Sequence, residues 1–228
     1  MASLEEIKKS TKPFFIGADE VGYGSLAGPL VVVGVKAPKD WSMAGLNDSK
    51  KLTPEKREAL RGKLNELIVK KEIEWHLAER SNVYIDKFGV YNVLKECYVE
   101  IFHKLYSDDS LIITDGNLKF DNLGVEAYDK MSLIKGDSHI QQIMAASILA
   151  KTYRDEKMRI FHPLHPHYGW DKNVGYWHKD HVAAIEKYGP SPLHRWSYDP
   201  LKSMNLPNPN QLELFSDEQR ESSKKDGI

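Results

Sequence analysis

The sequence predicts an α/β fold in which a mixed sheet is flanked by helices. Three observations carry this. Strand-like apolar runs come first and then alternate with helix-length segments, the order expected of an α/β core. Three apolar segments end at acids: at Asp19-Glu20, at Asp115, and at Asp137 after Lys135-Gly136. The chain has 228 residues, enough for one full domain with a small appendage.

Each element has a local reason. Phe14–Asp19 and the valine-rich Pro29–Lys36 read as strands, joined by a turn at GYGSLAG. Thr53-Pro54-Glu55 starts a helix, with Thr as N-cap, Pro at the first position and an acid in the first turn. It runs to about Lys71, with Leu60, Leu64, Leu67 and Ile68 on one stripe. Glu72–Glu79 alternates around Ile73, Trp75 and Leu77, giving a third strand. Residues 81–106 form a helical region with a break expected at Gly89. Leu111–Asp115 is a fourth strand and Met131–Lys135 a fifth. Ser138–Phe161 is a long helix with Ile140, Ile143, Met144, Ser147 and Ile148 near one face. After His162 the chain turns rich in His, Tyr, Trp and Gly, with one short helix at about His178–Tyr188. From Ser203 it is Pro- and Asn-rich and then charged, and reads as a disordered tail. The organisation expected is a core over 1–161, a small helical extension over 162–202 and the tail over 203–228.

Composition narrows the function classes. Hydrophobic residues are 41% and charged residues 29%, which excludes a wholly disordered chain. A single cysteine, Cys97, excludes an internal disulfide and points to a reducing compartment. The N-terminal MASLEEIKKSTK has no apolar stretch of the signal-peptide kind, and no segment approaches the ~20 apolar residues of a membrane helix. A cytoplasmic monomer without a membrane partner is expected. Net charge is −1, and the tail 203–228 carries five acids against three bases, so the body is close to neutral. Global charge therefore announces no nucleic acid, and such a partner would have to be met by a local basic patch and by metal ions.

The acids at strand ends are the chemically informative pattern. Taken alone, Asp19-Glu20 is an ordinary polar strand end, Asp115-Gly116-Asn117 an ordinary turn, and Asp137 an acid near a helix start. Together they place carboxylates where strands of one sheet converge. Like charges gathered in low dielectric raise one another's pKa, and a divalent cation with hard oxygen ligands relieves that conflict. The glycine loop Gly22-Tyr23-Gly24-Ser25-Leu26-Ala27-Gly28 is neither a Rossmann nor a Walker pattern. Its glycines would let backbone approach a ligand, and a ribose 2′-hydroxyl is one group a bare backbone can read. Asn47-Asp48-Ser49-Lys50-Lys51 is a polar loop suited to phosphate contact before a helix. His162, His165 and His167 alternate with prolines, at a spacing that fits no zinc pattern.

Five segments together resemble the ribonuclease HII family: IGADEVGYGSLAGPLVV, LNDSKKLTPEKRE, ITDGN, IKGDSHIQQIMAASILAKTYRD and YGWDKNVGYWHKDHVAAIEKYGPSPLHRWSY. They occur in the family's order and span about Phe14 to Tyr198. The resemblance implies a ribonuclease H-like fold with a small helical C-terminal extension. It implies an endoribonuclease that cuts 5′ to ribonucleotides in duplex DNA and in RNA–DNA hybrids, leaving 5′-phosphate and 3′-hydroxyl ends. The four catalytic and metal-binding acids would be Asp19, Glu20, Asp115 and Asp137, holding two Mg²⁺ or Mn²⁺ ions. Gly22 and Gly24 match the glycines whose backbone reads the 2′-hydroxyl, and Tyr176 matches the tyrosine that packs on the neighbouring deoxyribose. Lys50, His194, Arg195 and Ser197 match positions expected near phosphates.

Two departures stand out. Tyr23 lies where the family usually has Arg or Lys between two glycines, so the loop loses a cation. Asn173-Val174 replaces a usual His-Lys before Gly175-Tyr176. In the tail, Gln211, Leu212, Leu214 and Phe215 resemble the short Gln-Leu-x-Leu-Phe peptide that docks on DNA polymerase sliding clamps. Two rival readings follow: a ribonuclease H with relaxed junction preference, and a weakly catalytic, clamp-tethered ribonucleotide-binding factor.

Overall fold

The computed structural model describes residues 2–116 and 123–204. Five strands form one sheet: β1 (Phe14–Val21), β2 (Leu30–Pro38), β3 (Glu74–Arg80), β4 (Ser110–Asp115) and β5 (Lys130–Leu133). Their order across the sheet is β3-β2-β1-β4-β5. β1 pairs antiparallel with β2, and β2 with β3. β1 pairs parallel with β4, and β4 with β5. The mixed sheet is therefore antiparallel on one side of β1 and parallel on the other. The ends of β1, β4 and β5 consequently share one edge.

Helices cover both faces. α1 (Leu4–Lys8) is too short for periodicity to reveal, but a Ser3–Glu6 capping box starts it and Ile7 anchors it. α2 (Pro54–Val69) starts as expected, with the Thr53 side chain accepting the Lys56 N–H, and it buries Leu60 and Leu64. Gly89, at φ 80°, separates α3 (Asn82–Phe88) from α4 (Val90–Leu105). α4 lies on the face formed by Ile16, Ala18, Leu30, Val32 and Ile112, burying Val93, Cys97, Tyr98, Ile101 and Phe102 there. α5 (Gln141–Phe161) and α2 cover the opposite face, where Val31, Val33 and Val35 meet Ala145, Ala146 and Ile148. The two faces use alternate residues of β2, as the strand period of two requires. α5 lies so close to β1 that a Cβ on Gly17 would stand 2.3 Å from the Ile143 nitrogen.

Several boundaries differ from the expectation: β1 runs on to Val21 rather than Asp19, β2 is shifted to Leu30–Pro38 and β5 ends at Leu133 rather than Lys135. The third strand begins at Glu74 rather than Glu72, because Lys71 at φ 59° is still turning out of α2. The long helix begins at Gln141 rather than Ser138. Lys135 takes a left-handed conformation and Gly136–Ser138 form a 3₁₀ turn, so Asp137 sits in a tight corner ahead of the helix.

Beyond α5, two 3₁₀ turns lead to α6 (Trp170–Asn173) and α7 (Lys179–Tyr188). Their apolar side chains Tyr168, Trp170, Val174, Ala184 and Ile185 cluster with Leu26 and Ala27 of the glycine loop and Met158 of α5. The extension and the glycine loop thus share one small core, and an isolated bridge pairs Ala27 with His194. Among the described residues no helix is long and apolar enough to cross a membrane.

Candidate active site

The four predicted acids come to one edge of the sheet because β1 and β4 run parallel. Ala18 registers with Thr114, which puts Asp115 beside Asp19 at the strands' C-terminal ends. Ligand sites of open α/β sheets lie at such ends, where strand order reverses. Asp137 joins them from the corner after β5.

Each acid is anchored differently. Asp19 accepts the Glu20 N–H at 2.9 Å, and the Ser147 hydroxyl of α5 lies near enough to favour its charged form. Glu20 accepts the Tyr98 hydroxyl at 2.5 Å. Asp115 accepts two backbone N–H groups through the same oxygen, Gly116 at 2.9 Å and Gly136 at 2.8 Å. Asp137 has Lys50 Nζ at 3.9 Å. The Asn47–Lys51 loop is fixed against this edge, since Ser49 Oγ lies 2.8 Å from Ser147 Oγ and Arg57 donates to the Ser49 carbonyl.

The electrostatics are those of crowded anions. Burial and then the neighbouring Glu20 push Asp19 up to about 7. Burial also raises Glu20, with the Asp115 charge adding to it against the lowering effect of Tyr98. Asp137 is raised by burial and by Asp115 and Asp48. The side chains themselves are turned onto separate anchors, and among the described residues no three His, Cys, Asp or Glu side chains form a ready metal cage. The donor set still suits a hard divalent cation: it is all carboxylate oxygen, and its like charges need an external positive partner.

The glycine loop borders this edge. Gly22, at φ 88°, donates its N–H to the Tyr176 hydroxyl at 2.9 Å. A Cβ there would meet Arg154 Nε at 2.3 Å, so glycine is compulsory. Gly24 is different, because a Cβ on it would meet nothing within 4 Å. Two fully buried arginines hold the loop from behind. Arg154 donates to the carbonyls of Pro29, Val174 and Ala27 and to Ser25 Oγ, all at 2.7–2.9 Å. Arg195 donates to the carbonyls of Gly28 and Tyr23 and to the Tyr198 hydroxyl. Burial lowers Arg154 to about 10 and lowers Arg195 too. The Tyr176 ring lies 5.1 Å from the Arg154 guanidinium and 5.7 Å from Lys151 Nζ, within cation–π reach.

The model of the family described as Ribonuclease HII matches residues 16–200. The chain belongs to the ribonuclease HII family. It is 41% identical over 203 residues to the Ribonuclease HII of Helicobacter pylori strain G27, covering 87% of this chain and 97% of that one. It is 39% identical over 206 residues to that of Enterococcus faecalis, covering 90% and 77%. Among solved structures, the ribonuclease H2 of Pyrococcus horikoshii OT3 superposes with a TM-score of 0.69 at 23% identity, over 84% of this chain and 96% of that one. The Archaeoglobus fulgidus RNase HII, solved as a complex with PCNA, gives 0.61 at 25% identity, over 86% and 92%. The mixed sheet with flanking helices is thus the ribonuclease H-like fold.

The ribonuclease HII motifs place His194, Arg195 and Ser197 near phosphates, and the structure shows what these side chains bond within the protein. His194 and Arg195 are fully buried. His194 Nδ1 faces the Ser191 N–H and Oγ, and its Nε2 faces His181. Arg195 spends its donors on loop carbonyls. The exposed Ser197 donates its hydroxyl to Asp86 at 2.6 Å, and Asp86 also accepts the Trp196 and Ser197 N–H groups. These residues shape the glycine loop from behind. Lys50 is 82% exposed and free to reach a ligand from outside. Gln211, Leu212, Leu214 and Phe215 lie outside the described residues.

Sequence reasoning missed Arg154, Tyr98 and Asp86. Arg154 left one signal: it falls one heptad after Ser147 on the buried stripe of α5, where a charged side chain needs a dedicated set of partners. Tyr98 and Asp86 left none, because their partners are distant in sequence.

Proposed function

We propose that the chain is an endoribonuclease that hydrolyses the phosphodiester 5′ to ribonucleotides embedded in duplex DNA and in RNA–DNA hybrids, leaving 5′-phosphate and 3′-hydroxyl ends. The observation that carries this reading is the juxtaposition of four carboxylates with a glycine loop bonded to Tyr176. Ribonuclease H activity follows from the family; the junction preference and products are our reading. Asp19, Glu20, Asp115 and Asp137 would hold two divalent ions, Mg²⁺ or Mn²⁺. Bound there, such ions supply positive charge for the attacking and leaving oxygens.

The protein's own groups do the rest. Gly24 needs no glycine for any contact within the protein, so its bare backbone leaves room for a sugar. Tyr176, tied to Gly22, would lie against the sugar on the DNA side of the junction. Lys50 would meet a phosphate while staying near Asp137. Tyr23, 40% exposed, offers a ring where a cation would have offered charge.

The test is cleavage of three labelled duplexes: DNA with one ribonucleotide, an RNA–DNA hybrid, and all-DNA. The first two should be cut with Mg²⁺ or Mn²⁺, the first at the bond 5′ to the ribonucleotide, and Asp19→Asn should abolish both. Cutting of hybrids alone would favour a general ribonuclease H. Binding of the first duplex without turnover would favour the binding-factor reading.

We propose in addition that the tail peptide Gln211–Phe215 docks on a sliding clamp, a reading supported by its sequence and by the A. fulgidus relative solved with PCNA. A peptide of residues 207–220 should bind the clamp of its own replication system at roughly micromolar affinity. Leu214→Ala with Phe215→Ala should remove that binding. No heat at high micromolar peptide would end this reading.

A further inference from the structure

Asp19 and Glu20 are consecutive residues of one strand, so their side chains leave opposite faces of the sheet. Two ligands of one site therefore start on opposite sides and must both be aimed at the same edge. Each has a hydroxyl on its own face. Asp19 has the Ser147 hydroxyl of α5 nearby, hydrogen-bonded at 2.8 Å to Ser49 Oγ. Glu20 has Tyr98 from α4, on the other face, at 2.5 Å.

The geometry points to Tyr98 as a positioning residue that fixes the Glu20 carboxylate for a divalent cation. This rests on the reading that the four acids hold such ions. Tyr98 is fully buried, and its ring packs against Phe102 with centroids 5.9 Å apart. A rigid ring in a packed core gives its hydroxyl one location. Glu20 has three rotatable bonds, and the Tyr98 hydroxyl holds one of its carboxylate oxygens at a fixed place. A buried hydroxyl can be satisfied by a neutral carbonyl; here it is paired with a carboxylate at the end of a sheet strand. That arrangement costs stability and makes sense where the carboxylate's second oxygen has work to do. Outer hydrogen bonds to ligand carboxylates typically change metal affinity or activity by roughly 10–100-fold.

Tyr98→Phe removes one oxygen and keeps the ring. Mn²⁺ binding to the full chain, without nucleic acid, is measured by calorimetry beside kcat and KM. The variant should bind Mn²⁺ roughly ten-fold more weakly. Its kcat should fall while KM for the ribonucleotide duplex stays within about twofold, since ions are touched and substrate is not. In a Glu20→Gln background, Tyr98→Phe should change Mn²⁺ affinity no further. Wild-type Mn²⁺ affinity in Tyr98→Phe overturns the inference, and so does a loss of equal size that persists beside Glu20→Gln. If Tyr98→Phe does not fold, Glu20→Asp supplies the test: it withdraws the carboxylate from the hydroxyl by one methylene and should weaken Mn²⁺ similarly, and undiminished binding overturns the inference. A wild-type chain that binds no Mn²⁺ overturns both the inference and the reading beneath it. Wild-type binding matched by Tyr98→Phe removes only the inference.

Discussion

The carboxylate edge and the glycine loop are neighbours along β1, and they treat charge in opposite ways. At the edge, four acids lie close enough for Asp115 to raise both Glu20 and Asp137. Behind the loop, two buried arginines face carbonyl and hydroxyl oxygens of the protein itself. The arginines are answered internally, while the acids wait for a positive partner from outside. Rigid, satisfied chemistry belongs to the scaffold of the site, and unsatisfied charge belongs to the site.

The largest effect expected from breaking this contrast is at Arg154. Arg154→Ala should cost roughly 3–5 kcal/mol, because it leaves buried carbonyls of Pro29, Val174 and Ala27 without a donor. Arg154→Lys should recover little, since an ammonium cannot reproduce the planar fork. Urea unfolding checks this, and a loss under 1 kcal/mol for the alanine variant would mean the loop is held elsewhere.

Acid should loosen the same scaffold next. Burial, with His181 adding, lowers His194 to about 3, and burial lowers His181 too. A histidine with a depressed folded pKa takes up protons more readily when unfolded. Its stability contribution is complete above the unfolded value near 6.5 and declines as pH falls toward 3. His194 alone should account for about 2 kcal/mol lost between pH 7 and 5. His194→Gln should flatten that slope in unfolding curves, and an unchanged slope would assign it to other groups.

The edge should behave inversely. Asp19 has a folded pKa raised to about 7, so the folded state without metal binds the extra proton. Its favourable contribution exists at low pH and is lost as pH rises through 7. Asp19→Asn should therefore raise metal-free stability at pH 8 by several-fold more than at pH 4.5, read as a larger gain in melting temperature at the higher pH. Added Mn²⁺ should narrow or reverse the gap, because only the wild type keeps the full ligand set. An equal gain at both pH values would show that packing is responsible.

The smallest effect sharpens the boundary between the regions. Tyr23→Arg should leave stability nearly unchanged and steepen the salt dependence of duplex binding by about one phosphate contact. An identical log–log slope would show that position 23 faces no phosphate.

Much of this molecule is legible in the sequence because its causes are local. The valine run of β2, the Thr53-Pro54 start of α2 and the break at Gly89 depend on residues a few positions apart, and each stands close to where local composition and capping put it. The four acids stand out in the sequence because each follows an apolar segment, and the fold brings those segments to one edge of the sheet. The tertiary structure alone decided what surrounds them. Arg195 and His194, matched in sequence to positions near phosphates, are buried, because the Ala27–His194 bridge folds the extension onto the glycine loop. Tyr98 reaches Glu20 across 78 positions, and Arg154 reaches Ser25 across 129. Backbone conformation answers to neighbours along the chain. A buried charge or hydroxyl answers to whatever packing brings within about 3 Å, and only the folded chain determines that.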